Sequence, residues 1–308
     1  MDSIDINAKD KLDNEINLIA LVSYLWERKF LLIAVTSIFA VTSIFYSLSL
    51  NDIYKSSSLL KAYDAESSSP INSMSSITSA FTGIKIDRTV SKSDLAVELI
   101  NSRDFFEHIL KKYELMPQLM AAKKFDKKNN RIIYDKSIFD EQKRQWIENK
   151  NIQPPTFQDT YNAYLSNLRI FKTENGFLEI SYSHLSPFFA KQMLDIVIEE
   201  INFLQSEKDK LEIRESIKYL NQQVELSSLE EVKKTIYLIL ESQMEKLMTA
   251  NIKSEYLLEV IDAPFIPEKK SKPSRAIIVI LSTFSGLIFS LILIFFNKFG
   301  LRVENNLG

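Results

Sequence analysis

Two long uncharged segments near the ends of the chain constrain its fold more than any other feature. Residues 30–50 read FLLIAVTSIFAVTSIFYSLSL and residues 276–296 read AIIVILSTFSGLIFSLILIFF, and each run holds 21 residues without a charge. A bilayer core takes roughly 20 residues of α-helix. Helices buried in soluble proteins seldom run this long without a charged side chain. The sequence therefore predicts two transmembrane helices that enclose the rest of the chain.

The first segment does not match a cleaved signal peptide. Its apolar run exceeds the usual hydrophobic region of roughly 7–15 residues. It is also preceded by residues 1–29, which are polar and of mixed charge. We therefore interpret residues 1–29 as an N-terminal segment and residues 30–50 as the first transmembrane helix.

Basic residues around the two segments give conflicting orientations. Four basic residues precede the first segment and only two follow within fifteen residues, which favours a cytoplasmic N-terminus. The second segment gives the opposite count, because Lys298 and Arg302 follow it and four basic residues precede it. Those four form what we call the basic collar: Lys269, Lys270, Lys272 and Arg275.

The length of the intervening loop decides between the two orientations. Long loops are translocated largely regardless of their charge, so the first segment is the better guide. Residues 51–275 are then predicted to lie outside the inner membrane, and residues 297–308 to form a cytoplasmic tail. In this topology the basic collar lies at the lipid headgroups of the outer leaflet, so membrane lipids are an expected partner.

Composition excludes several kinds of chemistry. The chain has 0 Cys, which removes disulfides, thiol nucleophiles and cysteine-based metal sites. Its 5 Gly are too scattered for a phosphate-binding loop, and its 2 His, His108 and His184, lie far apart in sequence. The net charge of −2 lacks the basic footprint of a nucleic-acid-binding protein. We expect no cofactor, no metal and no nucleic acid, and a nucleotide enzyme of the usual kinds is not supported.

The first half of the middle region shows helix and strand patterns. A helix is expected from Ser93-Asp94, as its cap, to near Pro117. The Ser-rich residues 66–81 read as a loop, and residues 123–150 give no clear pattern. A short helix over Phe157–Asn167 is then followed by two strands that flank the turn Glu174-Asn175-Gly176.

The second half is dominated by long helices. Pro187, with Ser186 as cap, is expected to start a helix that runs to about residue 226, although its apolar stripe shifts register midway. Ser228 and Glu231 have the spacing of a capping box for a second helix over residues 229–250. The two segments predict an antiparallel helical hairpin over about 188–250, followed by a strand at 256–261. Its apolar stripes cannot all be buried within one subunit, so seven residues are predicted to contact neighbouring subunits: Ile213, Ile217, Leu220, Val224, Ile236, Leu240 and Leu247.

The titratable residues of this region are interpreted as structural. His184 is expected to form a structural hydrogen bond, and His108 to lie on the surface. Glu199 and Glu200 stand in a charge-rich stretch that reads as solvated, so they are not expected to form an acid–base pair. The fold predicted from all of these patterns is a membrane α+β protein with a small α/β base and a long helical hairpin arm.

Four segments in order carry a resemblance to a known family. They are INLIALVSYLWERKF at the first apolar segment, EISYSHLSPFFAKQMLDIVIEEIN, IYLILESQMEKLMTANIKSEYLLEVIDAPFIP, and the proline-spaced stretch before the second segment. That last stretch contains three prolines that stop the helix and stiffen the linker: Pro264, Pro267 and Pro273. In these segments the chain resembles the Wzz-type O-antigen chain-length determinants, also called polysaccharide co-polymerases.

The resemblance implies both a location and a role. Family members are inner-membrane proteins of Gram-negative bacteria whose main domain is periplasmic, here residues 51–275. They form homo-oligomeric rings such as octamers, set the length of a surface polysaccharide made by a separate O-antigen polymerase, and are not enzymes. The growing lipid-linked polysaccharide is a further expected partner. Some relatives carry a fused kinase, which residues 297–308 are too short to supply.

Other functions stay open beside this one. The polysaccharide could be enterobacterial common antigen or capsule, and the chain could instead be a two-span periplasmic sensor or an exporter adaptor. A sensor needs a cytoplasmic output domain, and adaptors usually have one span with β-rich domains. These features make both of the latter less favoured.

Small residues in the second apolar segment form the last candidate surface. Ser282, Gly286 and Ser290 recur at a four-residue spacing that lets two membrane helices approach closely. The same spacing also arises from the ordinary composition of membrane helices. The hypothesis is that this ridge packs against the first span or against the polymerase.

Overall fold

The computed structural model describes residues 25–62, 91–148 and 153–304, with side chains described up to residue 296. The chain divides into two compact units, one made of Met1–Asn51 and Lys272–Gly308 and the other of Asp52–Ser271. We call them the terminal unit and the central domain. The loop expected over residues 66–81 lies outside the described residues.

The part of the terminal unit that the structure describes contains two packed helices. Helix α1 spans Lys29–Ser49 and helix α8 spans Arg275–Glu304. Both are long and apolar enough to cross a membrane, and most of their surface is exposed in the isolated chain. Lipid-facing positions of a membrane helix have this character because the lipid, rather than the protein, covers them. The prediction of two long apolar helices near the ends of the chain is confirmed.

A four-stranded antiparallel sheet organises the central domain. Its strands are β1 (Tyr54–Ala62), β6 (Leu168–Lys172), β7 (Phe177–His184) and β8 (Leu258–Asp262), in the order β6-β7-β1-β8. In β7 the side chains that alternate toward the core are fully buried: Leu178, Ile180 and Tyr182. The alternation in the sequence correctly predicted this apolar face.

The turn between β6 and β7 follows its sequence signal. Gly176 has φ of +81°, a left-handed conformation that residues with a side chain rarely adopt. Its N–H donates to the carbonyl of Thr173 over 2.9 Å. The predicted hairpin is confirmed.

Four shorter helices belong to the described part of the central domain. They are α2 (Lys92–Ile100), α3 (Arg103–Tyr113), α4 (Met116–Met120) and α5 (Phe157–Asn167). The core includes the fully buried side chains Ile100 and Phe106, and the Phe106 ring stacks on Tyr164 of α5 with centroids 4.7 Å apart. The helix predicted over Phe157–Asn167 has the expected bounds.

The single helix expected from residue 93 to near Pro117 is wrong, because the chain breaks at Asn101-Ser102. Ser102 accepts a hydrogen bond from the N–H of Phe105 over 3.2 Å and so caps a new helix. The cap of α2 is also misplaced in the prediction, since Ser91 accepts from the N–H of Asp94. Helix α3 then ends at Glu114, whose φ of +50° is left-handed.

The region without a clear sequence pattern forms two small hairpins. One pairs β2 (Ala122–Asp126) with β3 (Arg131–Tyr134), and the other pairs β4 (Phe139–Asp140) with β5 (Gln145–Trp146). These strands are too short to show a clear alternation.

The two longest helices of the central domain form the predicted helical hairpin. Helix α6 covers Pro187–Leu226 as one continuous helix of 40 residues, about 60 Å at 1.5 Å per residue. Helix α7 covers Glu230–Ile252 and packs against it. Ser186 caps α6 as predicted, by accepting from the N–H of Phe189 over 3.2 Å.

The capping box predicted for α7 is wrong. Leu229 occupies the cap position and makes no side-chain cap bond. The chain leaves α6 through Ser227 in an extended conformation and enters α7 one residue later than expected, so Ser228 and Glu231 do not have the required positions.

Candidate membrane-packing and assembly surfaces

The ridge of small residues in α8 lies against α1 within the terminal unit. A Cβ placed on Gly286 would approach the Cβ of Phe39 to 2.6 Å. Ser282 Oγ donates to the carbonyl of Phe39 over 3.3 Å, and Ser290 is fully buried. The Phe39 ring also lies 5.8 Å from that of Phe289. These contacts place the ridge at a helix–helix contact, and its part in polysaccharide length control stays a prediction.

The prolines of the linker between β8 and α8 differ in exposure. Pro264 and Pro267 are buried, whereas Pro273 is half-buried. The linker contains no helix, and the carbonyl of Phe265 accepts a hydrogen bond from Ser56 Oγ over 2.7 Å. This bond, together with the two buried prolines, holds the first part of the linker along β1.

One residue of the basic collar is fixed to the start of the central domain. Lys270 Nζ donates to Asp52 Oδ1 over 3.0 Å, and the N–H of Ser271 donates to the carbonyl of Ile53 over 2.8 Å. Lys269 and Lys272 are exposed, whereas Arg275 is half-buried. Asp52 also binds Lys127 over 3.0 Å, and its pKa is lowered because these two lysine contacts outweigh the effect of burial.

The seven apolar residues predicted for subunit contacts are already covered within one copy. Ile213 and Leu240 are buried, and the other five are half-buried. These positions therefore lie on the side of the helical hairpin that a single chain shields. A role between subunits stays a prediction for them.

A different set of apolar residues on the helical hairpin faces solvent, and none of its members is among the seven predicted contact residues. Leu226 is 78 % exposed and Ile252 is 77 % exposed. The set, which we call the exposed apolar face, comprises Leu211, Tyr219, Leu226, Leu229, Val232, Tyr237, Leu238, Met244, Met248 and Ile252. The signal that could have found it is the group of apolar residues that remains on each helix when the covered ones are removed.

A buried asparagine joins α6 to β8. Asn202 Oδ1 accepts from the N–H groups of Leu257 and Leu258 over 2.7 and 2.8 Å. Its Nδ2 donates to the carbonyls of Ile198 and Leu258, both over 3.0 Å. The amide oxygen and the amide nitrogen thus each make two hydrogen bonds inside the protein. This amide therefore fixes where β8 lies on α6.

A buried carboxylate joins α6 to α3. Glu200, 1 % exposed, accepts from Lys112 Nζ and from Tyr113 Oη, both over 2.6 Å. His108 Nε2 lies 2.8 Å from its other oxygen. Burial would raise the pKa of Glu200, but these hydrogen bonds outweigh it and the pKa is lowered. Burial and the bond to Glu200 raise the pKa of Tyr113.

This cluster corrects two interpretations of the sequence. His108 is not a free surface residue, and Glu200 is not solvated, although Glu199 beside it is exposed as expected. The charged run around Glu200 concealed the fact that every helical turn places one side chain toward the core. The group ties two helices together and lies beside a cleft of about 860 Å³ between α6 and the end of α7.

His184 has the structural role predicted for it. Its Nε2 donates to the carbonyl of Gln118 over 3.0 Å, and its Nδ1 accepts from the N–H of Ser186 over 3.1 Å. Accepting at Nδ1 requires a neutral ring. Burial lowers the pKa of His184 to about 4.

Models of known families match two parts of the sequence. A family model described as "Chain length determinant protein" (Wzz) matches residues 14–113. Residues 14–113 therefore carry a Wzz chain-length determinant domain. The matched region begins ahead of α1 and ends with α3, which carries the partners of Glu200.

A second model matches the other end of the chain. It is GNVR, described as "G-rich domain on putative tyrosine kinase", and it matches residues 220–299. That range covers the end of α6, all of α7 and β8, the basic collar and the apolar part of α8. Gly286 is the one glycine within it, so the match does not rest on glycine content.

A comparison with solved structures also finds proteins that are similar to this chain. One, described as "full-length bacterial polysaccharide co-polymerase", has 15% identity, covers 94% of this chain and 99% of its own, and gives a TM-score of 0.37. Another is a fragment of WzzB, a polysaccharide co-polymerase from Salmonella Typhimurium, with 12% identity, coverage of 72% and 100%, and a TM-score of 0.30. A comparison with curated proteins finds no match.

Proposed function

We propose that this chain is a non-enzymatic regulator of O-antigen chain length. It acts as a homo-oligomeric periplasmic scaffold, anchored in the inner membrane of a Gram-negative bacterium by α1 and α8. Its partner is a separate O-antigen polymerase in the same membrane. The match of residues 14–113 to the chain-length determinant model supports the general role, since members of that family work as oligomers with polysaccharide synthesis machinery.

The exposed apolar face of the helical hairpin carries the proposal. Soluble domains rarely leave a large contiguous apolar patch in water, and such patches commonly mark protein interfaces. Here ten large apolar side chains, each at least 42 % exposed, lie on two helices that pack on each other. A second copy of the same helical hairpin offers a surface of the same chemistry to cover them.

The scaffold can act by collecting components rather than by chemistry. A ring of subunits gathers polymerases or contacts the growing lipid-linked polysaccharide, so that release becomes most frequent at one size. Within the described residues no group of three or more His, Asp or Glu side chains is arranged to hold a metal ion. The proposal needs no such group.

Gene deletion with gel analysis of lipopolysaccharide tests the role directly. We expect the cluster of bands at the preferred O-antigen length to disappear and shorter chains to spread evenly. An unchanged ladder would remove O antigen from the proposal. Gels of enterobacterial common antigen and of capsule from the same strain test the alternative polysaccharides.

The assembly is tested by its own variant. Tyr237→Ser with Leu238→Ser should lower the oligomeric state of the full chain in mild detergent, because both side chains belong to the exposed apolar face. The double variant Lys234→Ser with Glu241→Ser, exposed polar positions on the same helix, should leave it unchanged. A wild-type protein that is a monodisperse monomer would contradict the scaffold.

A further inference from the structure

The hairpin of β2 and β3 presents a rigid basic turn. Asp126 Oδ1 accepts from the N–H groups of Lys128 and Asn129 over 2.9 and 3.4 Å, and Asp126 Oδ2 accepts from Asn129 Nδ2 over 2.8 Å. Asn130 closes the turn with φ of +49°. Because Asp126 is occupied by its own turn, it holds the loop in shape. Of the five exposed cations on this hairpin, Lys123 pairs with Asp135. We call the other four the basic hairpin face: Lys124, Lys127, Lys128 and Arg131.

The basic hairpin face is fastened to the first residues of the central domain. Lys127 Nζ donates to Asp52 Oδ2 over 3.0 Å and lies 5.6 Å from the centre of the Tyr54 ring. Phe125 meets the same ring with centroids 6.4 Å apart. The other oxygen of Asp52 accepts from Lys270 of the basic collar. One carboxylate therefore joins the hairpin to the collar.

Chain connectivity limits how far this carboxylate can be from a membrane. Asp52 follows Ser49, the last residue of α1, by three positions, and three extended residues span at most about 11 Å. Once α1 crosses a bilayer, Asp52 must therefore lie at the headgroup level. The hairpin that is bonded to it comes to the same level.

Positive charge is concentrated on the hairpin of β2 and β3. Residues 123–136 hold six basic and two acidic residues, whereas residues 51–267 as a whole hold 28 basic and 32 acidic. The domain outside this segment is thus clearly acidic. Anionic lipid repels an acidic domain as a whole and attracts only a basic surface that faces it.

We propose that the basic hairpin face binds the headgroup phosphates of anionic phospholipids in the leaflet around α1. This inference rests on the proposed function only in placing α1 across the membrane. Lysine ammonium groups on an exposed, fixed turn suit phosphates that are spread over a surface, and the attraction falls with ionic strength. The contact orients the base of the domain against the lipid, beyond the anchoring that the two apolar helices supply.

The absence of cysteine makes a single-label experiment clean. Asn129→Cys in the full chain is labelled with a fluorophore, and the protein is placed in nanodiscs that contain a fixed fraction of phosphatidylcholine with a nitroxide on its headgroup. The remaining lipid is phosphatidylcholine with increasing phosphatidylglycerol. We expect quenching to rise with phosphatidylglycerol and to be lost at high salt. Equal quenching at all compositions would overturn the proposal.

Charge reversal supplies the matched comparison. Lys124→Glu with Lys128→Glu should reduce the rise in quenching with phosphatidylglycerol by more than roughly tenfold. The reason is that each cation near an anionic surface contributes roughly fivefold in affinity. Neither lysine binds Asp52, so the fold is kept. Lys218→Glu with Lys234→Glu, exposed cations on the helical hairpin, should leave the dependence intact.

Two further arms separate other sources of the signal. Inorganic phosphate added to discs without phosphatidylglycerol should have no effect, and a change of fluorescence there would overturn the assignment to lipid. Dilution to one protein per disc should also have no effect, and loss of the response would assign it to a second copy instead. A lipid response in a protein whose deletion leaves every polysaccharide unchanged would reject the proposed function while supporting this contact.

Discussion

A Cβ added to Gly286 would lie 2.6 Å from the Cβ of Phe39, closer than two carbon atoms approach without displacement. The clashing atom belongs to the root of the Phe39 side chain, which cannot move without its backbone. Gly286 is therefore the position in α8 at which α1 requires the smallest residue.

Replacing Gly286 by Leu should separate the two helices. Overpacking of this kind costs about 1–3 kcal/mol, and we expect impaired control of polysaccharide length with expression intact. The measurement is a lipopolysaccharide gel from a deletion strain complemented with Gly286→Leu, alongside an immunoblot for the protein.

Ser285→Leu is the matched control, because Ser285 is the exposed neighbour of Gly286 on the same helix. This variant should retain the wild-type length distribution. If Gly286→Leu also retains it, the ridge has no part in length control.

Removing the side chain of Asn202 should destabilise the central domain. Asn202→Ala leaves the N–H groups of Leu257 and Leu258 buried without their partner, at about 1–3 kcal/mol each. Thermal unfolding of the full chain in detergent should show a lower midpoint. Asn221→Ala, at an exposed position farther along α6, should have no measurable effect. Equal midpoints for both variants would show that the amide does not secure β8.

Neutralising Glu200 should loosen the contact between α3 and α6. Glu200→Gln removes the charge that Lys112 and His108 face, and hydrogen bonds to charged groups contribute about 1.5–3 kcal/mol each. We expect faster hydrogen exchange in residues 103–113. Glu199→Gln tests the exposed neighbour and should leave exchange there as in the wild type, so a similar change in both variants would argue against the buried network.

Stability of the central domain should decline in mild acid because of His184. Its pKa is about 4 in the folded chain against 6.5 for an ordinary histidine, so below pH 6.5 the unfolded chain binds a proton that the folded chain refuses. The loss accumulates from pH 6.5 to about 4 and reaches about 3 kcal/mol. Unfolding midpoints of the full chain measured across this range check it.

His184→Gln should flatten that pH dependence while keeping a polar group at the site. Glu200, whose pKa is lowered, affects the free energy of unfolding in a different pH range. The stability it contributes is lost only as pH falls below the ordinary glutamate range. A variant whose midpoints fall as steeply as the wild type between pH 6.5 and 5 would contradict the role of His184.

Local signals in the sequence were sufficient for much of the fold. The uncharged runs predicted α1 and α8, Ser186 with Pro187 marked the start of α6, and Gly176 marked the turn before β7. Each of these depends on a few adjacent residues and on a strong physical rule, such as the cost of charge in lipid or the freedom of glycine.

The features that the sequence did not reveal depend on distant partners. Ser102 ends one helix and starts another because Ile100 and Phe106 both enter the core, which no local pattern reports. Glu200 is buried because α3, far away in sequence, brings it two donors and a histidine. The exposed apolar face became visible only when the packing of α6 on α7 showed which stripe was already covered.

The strand order places the first and last strands of the central domain side by side. β1 pairs with β8 through Leu60 and Val260, about two hundred residues apart, and every helix of the domain lies between them in the chain. Such distant pairing makes folding slow, because the whole loop must be closed first. During synthesis β1 emerges early and must wait with one edge unpaired until β8 has been made. A growing chain is thus expected to carry an open sheet edge for most of its translation, and the sheet is complete only when β8 has been made.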